Sequence, residues 1–199
     1  NTIKLLIISF YYPPDFCAGA FRAEAFSEAA SKNANFKNLL VLTTNPQRYG
    51  HMKNVNKKEV KDDITILRLY TPEHKNKFIL QFSCYCFFFI QVLYHGIKYS
   101  KNYDVVFSTS SRLGTGFLGY VLAKIFKKKY ALDIRDIFSD SLRSLKFSRS
   151  IFGSLVISFF KKIESLICRN ADWLNFVSPG FMKYSHVVES RKDINLFTN

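Results

Sequence analysis

The chain opens on an apolar run from Ile3 to Phe10 (IKLLIISF), and similar β-rich runs recur at 38–44 (NLLVLTT), 64–70 (ITILRLY), 104–108 (DVVFS), 130–134 (YALDI), 173–177 (WLNFV) and 193–197 (DINLF). Segments of helical length separate them. Near-continuous apolar strands alternating with helices predict an α/β fold whose mostly parallel sheet is covered by helices on both faces. The run 53–63 (KNVNKKEVKDD) reads as a solvated, charged connection. No internal repeat or low-complexity tract is visible.

The first strand leads into Tyr11-Tyr12-Pro13-Pro14-Asp15-Phe16-Cys17-Ala18-Gly19-Ala20 and then the amphipathic run FRAEAFSEAASK. In an open α/β sheet ligands meet the carboxyl ends of the strands, so this loop is a candidate site. Two readings of Gly19 stand side by side. It is a simple turn glycine, or it brings backbone amides to an anion at a helix N-terminus.

Between Phe78 and Ile97 twenty residues pass without Asp, Glu, Lys or Arg, the length of a membrane span. A single span would put strands of one sheet on opposite sides of a bilayer, so a crossover helix is the expectation. Its inner stripe is read as Phe78, Phe82, Cys86, Phe89, Leu93 and Ile97, with Tyr85 and Phe88 outermost against lipid. A second segment, 151–167, spaces Ile151, Leu155, Phe159, Ile163 and Ile167 helically, with Arg143, Lys146, Arg149, Lys161 and Lys162 around it. It fits either a core helix with a basic flank or a peripheral grip on an anionic membrane by Arg149, Lys161 and Lys162.

Charge sharpens the second alternative. The 199 residues carry a net charge of +14 at 48% hydrophobic content, which suits one buried core and an anionic partner: nucleic acid, anionic lipid or a phosphorylated small molecule. Cys17, Cys84, Cys86 and Cys168 form no paired C-x-x-C set, so reduced thiols in a cytosolic protein are expected rather than a metal site. A strand at the very start leaves an expectation of a trimmed chain without a leader.

After DVVFS, Gly114-x-Gly116-x-x-Gly119 has the spacing of a dinucleotide fingerprint, with Asp133 further on. The fingerprint needs its first glycine directly after the strand, and Thr109 to Leu113 intervene here. Helix-packing glycines are the favoured account. Arg135 and Asp136 follow YALDI at the carboxyl end of a strand, where an arginine clamps phosphate and a carboxylate binds hydroxyls or orients a nucleophile. A structural Arg/Asp pair capping the next helix is the alternative. Ser178, before Pro179, is explained by capping. His51, His74, His95 and His186 show no ligand spacing and no hydrolase triad. Lys127-Lys128-Lys129 lacks the interleaved aromatics of a nucleic-acid surface, so no nucleic-acid partner is expected.

The segments YYPPDFCAGAFRAEAFSEAA, NLLVLTTNP, DVVFSTSS, ALDIRDIFSDSL, IESLICRNADWLNFVSPGF and INLFTN together resemble, in order, the N-terminal half of a family 4, GT-B glycosyltransferase of the O-antigen and surface-polysaccharide type. The resemblance implies a Rossmann-like three-layer sandwich of about seven strands, one acceptor-binding domain over 1–199, and a second, nucleotide-sugar domain beyond it. It implies retaining transfer of a hexosyl or N-acetylhexosaminyl group from a nucleotide sugar, a UDP-sugar by expectation, with no cofactor and no essential metal. The acceptor would be a polyprenyl-diphosphate-linked sugar, and the enzyme would work as a peripheral protein on the cytoplasmic face of the inner membrane. Isolated, this lobe would be inactive. Carried over, Gly19 matches the loop glycine whose amide approaches the donor diphosphate, Arg22 follows it in the family pattern, and Asp136, the catalytic candidate, matches the acid facing the acceptor; Ser110, Arg135 and Ser178 join Gly19 and Arg22 as candidate substrate-binding residues. Ala18-Gly19 replaces the usual glycine pair, and Arg135-Asp136-Ile137-Phe138-Ser139 replaces Arg-Asp-Leu-Trp-Pro. Two readings compete: an NAD(P)-dependent oxidoreductase using Gly114, Gly116, Gly119 and Asp133, and a non-catalytic module binding anionic lipid or nucleic acid.

Overall fold

The computed structural model describes residues 2–46, 55–72, 78–110, 112–143, 150–188 and 194–198. Its strands are β1 (Ile3–Ile8), β2 (Phe36–Thr44), β3 (Lys58–Lys61), β4 (Ile64–Leu69), β5 (Val105–Thr109), β6 (Lys129–Ile134), β7 (Trp173–Phe176) and β8 (Asn195–Leu196). The helices are α1 (Ala18–Lys32), α2 (Phe78–Lys98), α3 (Leu113–Phe126), α4 (Phe138–Arg143), α5 (Ile151–Asn170) and α6 (Ser185–Val188). The sheet order is β3-β4-β2-β1-β5-β6-β7-β8, parallel except for β3, which pairs antiparallel with β4. The mostly parallel α/β sandwich is therefore as expected, with one more strand than the apolar runs indicated. β3 arises inside the run read as a solvated connection. At the sheet edge every one of its side chains is exposed, so it carries no apolar signal.

Each face of the sheet has its own core. On one, Leu6, Ile8, Val106 and Leu132 meet α2, α3 and α5 through Phe88, Val92, Leu118, Leu122 and Ile167. On the other, Leu5, Ile7, Leu39 and Val41 meet α1 through Ala23 and Ala30. The small residues on the inner side of α1 let that helix lie close to the strands.

The expected inner stripe of α2 holds only in part: Phe89 and Leu93 are half-buried against the core, and the side chain of Phe78 lies outside the described residues. Cys84, Phe88 and Val92 are buried, and Phe88 packs edge-on against Phe10 with ring centroids 5.0 Å apart. Tyr85 is half-buried, 5.0 Å from the Phe10 ring. Phe82, Cys86 and Ile97, read as inner, are exposed instead, beside Phe87, Ile90 and Tyr94. Phe88 is thus a core residue and Tyr85 is held in the fold, so neither is an outward lipid contact. A helix apolar nearly all round has no polar side to reveal which stripe faces in. In α5 the expected stripe divides. Ile167 is fully buried and Ile163 half-buried, whereas Ile151, Leu155 and Phe159 are exposed, because the buried face runs through Gly153, Ile157, Glu164, Ile167 and Cys168. Among the described residues no helix is long and apolar enough to cross a membrane.

Gly114, Gly116 and Gly119 all lie in α3. A Cβ on Gly119 would fall 2.6 Å from Ser108 Oγ and 2.9 Å from a ring carbon of Tyr130, and one on Gly116 would fall 3.1 Å from Ile167. These two glycines exist for close packing on β5, β6 and α5. Gly114, in the first turn, has open space around it. Gly119→Ala should therefore lower unfolding stability by about 1–3 kcal/mol through overpacking, while Gly114→Ala should be neutral or stabilising by up to about 1 kcal/mol. Urea denaturation of the two variants measures both.

Candidate functional site

The strand order reverses between β1 and β5, since the chain proceeds outward from β1 to β2 and β4 and then returns to β5 on its other side. A crevice opens at such a point beyond the carboxyl ends of the strands. Three connections converge there: residues 9–17 after β1, Ser110 and Arg112 after β5, and Arg135 with Asp136 after β6.

Cys17 is the N-cap of α1 but no side chain caps the helix, and its first turn contains no acid. Its amide end therefore keeps its partial positive charge. Gly19 is a buried helical residue with φ < 0, not a turn glycine. Its missing side chain matters for another reason. A Cβ would lie 3.3 Å from Arg135 Nη1, so glycine lets that guanidinium lie against the first turn, where Nη1 donates to Ala18 O at 3.2 Å. Burial pushes the Arg135 pKa below its ordinary value, against the pull of Asp133, and Arg22 adds to the lowering. The group stays cationic at neutral pH. Its Nε is buried without a hydrogen-bond partner.

Asp136 is exposed beside Arg135, and Ser141 Oγ donates to it at 3.3 Å. The two neighbours thus turn to different partners, Arg135 to α1 and Asp136 to α4. Arg112 was not singled out as a site residue from the sequence, yet it faces the same crevice. Its Nη2 donates to Tyr11 Oη at 3.0 Å, and its guanidinium carbon sits 5.3 Å from the Tyr85 ring centroid. Burial opposes its charge, but the Tyr11 hydrogen bond together with Tyr85, Tyr11 and Asp136 raises its pKa above the ordinary value. Its sequence signal was its place directly after a strand flanking the reversal.

Other expected ligands have structural partners. Arg22 Nε donates to Asp133 Oδ2 at 2.9 Å and its Nη2 donates to Oδ1 at 3.0 Å, forming a bidentate pair with a carboxylate that is only 3% exposed. Asn175 Nδ2 also donates to that carboxylate, at 2.6 Å. Arg22 is thereby neutralised, and Asp133 is not open to a ribose hydroxyl. Ser110 is 2% exposed, with its Oγ accepting from Arg135 N–H at 3.3 Å; it shapes the Arg135 turn from beneath. Ser178 Oγ accepts from Gly180 N–H and caps the short 3₁₀ turn 179–183, as the capping account requires. Lys162 is exposed and Lys161 half-buried on α5, which is not one of the three converging connections; Arg149 lies outside the described residues.

One buried network escaped the sequence reading altogether. Glu164 of α5, 2% exposed, accepts from Ser139 N–H at 3.0 Å and Ser139 Oγ at 2.6 Å, and its Oε2 is 2.8 Å from His186 Nε2. The serine hydroxyl donates to the carboxylate rather than to the histidine, so no nucleophile and base are paired. The network instead pins the start of α4, immediately after Asp136. Its signal was an acid on the otherwise apolar buried stripe of α5.

A second recess lies on the α1 side of the sheet. Phe107, Ala131 and Trp173 are in register across β5, β6 and β7, with Thr109, Asp133 and Asn175 in register beyond them. Phe26, stacked on Phe107 at 3.8 Å, and Phe197, stacked on Trp173 at 6.3 Å, flank a cavity of about 320 Å³.

A scan of the sequence against models of known protein families finds no match, and a search of the curated proteins finds none. Solved structures do match. Sucrose-phosphate synthase from Thermosynechococcus elongatus superposes with a TM-score of 0.60 at 15% identity, covering 98% of this chain and 88% of that one. UDP-glucose:anthocyanidin 3-O-glucosyltransferase, solved in complex with UDP, superposes with a TM-score of 0.57 at 11% identity over 100% of this chain. The chain spans 53% of that structure's length. At these identities the shared property is the fold: a Rossmann-like lobe of the kind found in GT-B glycosyltransferases.

Arg22→Ala should destabilise the lobe by about 3 kcal/mol, because it leaves the buried Asp133 carboxylate without its cation. Arg22→Ala combined with Asp133→Asn should recover part of that loss in urea denaturation, a coupling that a purely ligand-binding Arg22 would not show.

Proposed function

We propose that the chain is the acceptor-binding lobe of a retaining glycosyltransferase that moves a sugar from a nucleotide sugar, expected to be a UDP-sugar, to a lipid-linked sugar acceptor. The observation that carries the reading is the meeting of an uncapped helix N-terminus, two guanidinium groups and one exposed carboxylate at the β1/β5 reversal, in a fold shared with two glycosyltransferase structures. In this reading a second domain supplies most of the nucleotide-sugar site, the lobe is inactive alone, and the order of motifs over 1–199 supports a family 4 enzyme of the O-antigen type.

The chemistry assigned to each group follows from its environment. Departure of a nucleoside diphosphate builds negative charge, which fixed donors stabilise without reorganisation. The amide end of α1 and the Arg135 guanidinium against it are such donors. Asp136, open to solvent and held by Ser141, is placed to accept a hydrogen bond from the acceptor hydroxyl and orient it. Arg112, anchored on Tyr11 and Tyr85, adds fixed positive charge beside Asp136 and suits an acceptor carrying phosphate. No metal or cofactor enters the scheme. The lipid-linked acceptor and peripheral work at the inner membrane draw support from the net charge of +14 and from the exposed apolar side chains of α2 and α5.

Incubating the full-length protein with a panel of nucleotide sugars and a short polyprenyl-diphosphate sugar should give, by mass spectrometry, a product one hexose or N-acetylhexosamine heavier. Asp136→Ala should lower transfer by about 100-fold or more while the protein remains folded. Undiminished transfer by that variant removes Asp136 from the site, and absence of any product with folded protein counts against sugar transfer itself.

A further inference from the structure

The first half of α5 carries two stripes that the buried core does not explain. Ser154, Ser158 and Lys161 recur at i, i+4 and i+7, which aligns them along one side of the helix. With Ile157 beneath and Arg143 closing from the end of α4, they line a cavity of about 410 Å³. Next to this line the helix exposes Ile151, Phe152, Leu155 and Phe159, each more than half accessible, with Lys162 between the two stripes. We propose that the α4/α5 cavity binds the phosphate headgroup of an anionic lipid in a membrane onto which the apolar stripe docks. The proposal rests on the membrane reading above and gives it a specific partner.

The donor set matches that ligand. A guanidinium offers phosphate a planar fork, an ammonium offers a mobile point charge, and two serine hydroxyls complete the remaining oxygens. Among the described residues, Asp140 is the acid beside Arg143, with Oδ1 3.8 Å from Arg143 Nη1. Its other oxygen accepts from Tyr184 Oη at 2.6 Å, so Asp140 is engaged from both sides and cancels at most one of the cationic charges. Glu164, the other nearby carboxylate, is buried and bonded to Ser139 and His186 on the inner face of α5.

The apolar stripe is what selects a membrane lipid over a phosphate ion in solution. A free anion leaves Phe152, Leu155 and Phe159 in water, whereas a bilayer covers them at the depth of its headgroups. The two stripes sit side by side on one helix, so headgroup and acyl region would be met together. The position also serves the proposed reaction. Phe159 contacts Phe160 at 5.5 Å, and Phe160 meets Phe138 edge-on at 4.9 Å, two residues from Asp136. Docking through α5 would bring the bilayer surface alongside the crevice where a lipid-linked acceptor has to enter.

The test is co-sedimentation of the protein with phosphatidylcholine vesicles containing phosphatidic acid or, at matched surface charge, phosphatidylserine. Arg143→Gln/Lys161→Gln is compared with Lys32→Gln/Lys37→Gln, which removes the same charge from the other side of the sheet. Arg143, Lys32 and Lys37 are exposed and Lys161 is half-buried, and circular dichroism checks folding. The wild type should prefer phosphatidic acid. The cavity pair should weaken that binding roughly thirty-fold, and the control pair by no more than about twofold. Equal weakening by both pairs would overturn the cavity while leaving general electrostatic attraction to membranes intact. No vesicle binding by the wild type would remove the membrane reading and the cavity with it. Unchanged vesicle binding by Phe152→Ser/Phe159→Ser, together with competition by inorganic phosphate, would reassign the cavity to a soluble anion and overturn the lipid.

Discussion

Asp133 sits at the carboxyl end of β6 with its carboxylate nearly sealed from water, a placement tolerable only because cations and amides surround it. Arg22 reaches it from α1 and Asn175 from β7. The same two side chains hold the segment after β8: Arg22 Nη2 donates to Phe197 O at 3.0 Å, and Phe197 N–H donates to Asn175 Oδ1 at 2.8 Å. One buried charge thus ties together α1, β6, β7 and the end of the sheet. The orientation of α1 on the strands depends on it, and with that orientation go the position of Gly19 and the helix end presented to the crevice.

Three arginines near the crevice illustrate how environment divides one residue type into different roles. Arg22 is consumed by Asp133. Arg135 lies on the first turn of α1, half-buried, its charge weakened but not removed by desolvation. Arg112 is held over Tyr11 and Tyr85 with its charge strengthened by their hydroxyls and by Asp136. The result is a local positive field that nearby carboxylates neutralise only in part among the described residues, a condition that favours binding an external anion. Beneath it, Ser110 and the Glu164–Ser139–His186 network fix the backbone on either side of Asp136, so that the exposed carboxylate stands on a rigid support.

The apolar surfaces tell a parallel story. The helices α2, α3 and α5 lie side by side over one face of the sheet, with Gly96 of α2 opposed directly to Leu122 of α3. Each of the two outer helices buries one stripe and leaves another in solvent. Ordinary folding requires only the buried stripe. The exposed one, in a chain of net charge +14, is the feature on which the membrane proposal rests.

The order of apolar runs was enough to establish an α/β sheet, its parallel character and most of its strands, because a strand buried on both faces must be apolar along its length. It also placed a glycine-bearing loop, Arg135 and Asp136 at the carboxyl edge, since the edge is defined by chain direction alone. β3 stayed hidden because an edge strand need bury nothing, and the phase of α2 stayed hidden because nearly all its sides are apolar. Which arginine is free and which is paired was beyond reach for a different reason. Arg22 and Asp133 are separated by 111 positions, and the Glu164 network joins α4, α5 and α6. Local patterns record what each segment can bury. Only the packed sheet decides which distant charge stands opposite which, and pairing across that distance determines whether a cation serves the fold or a ligand.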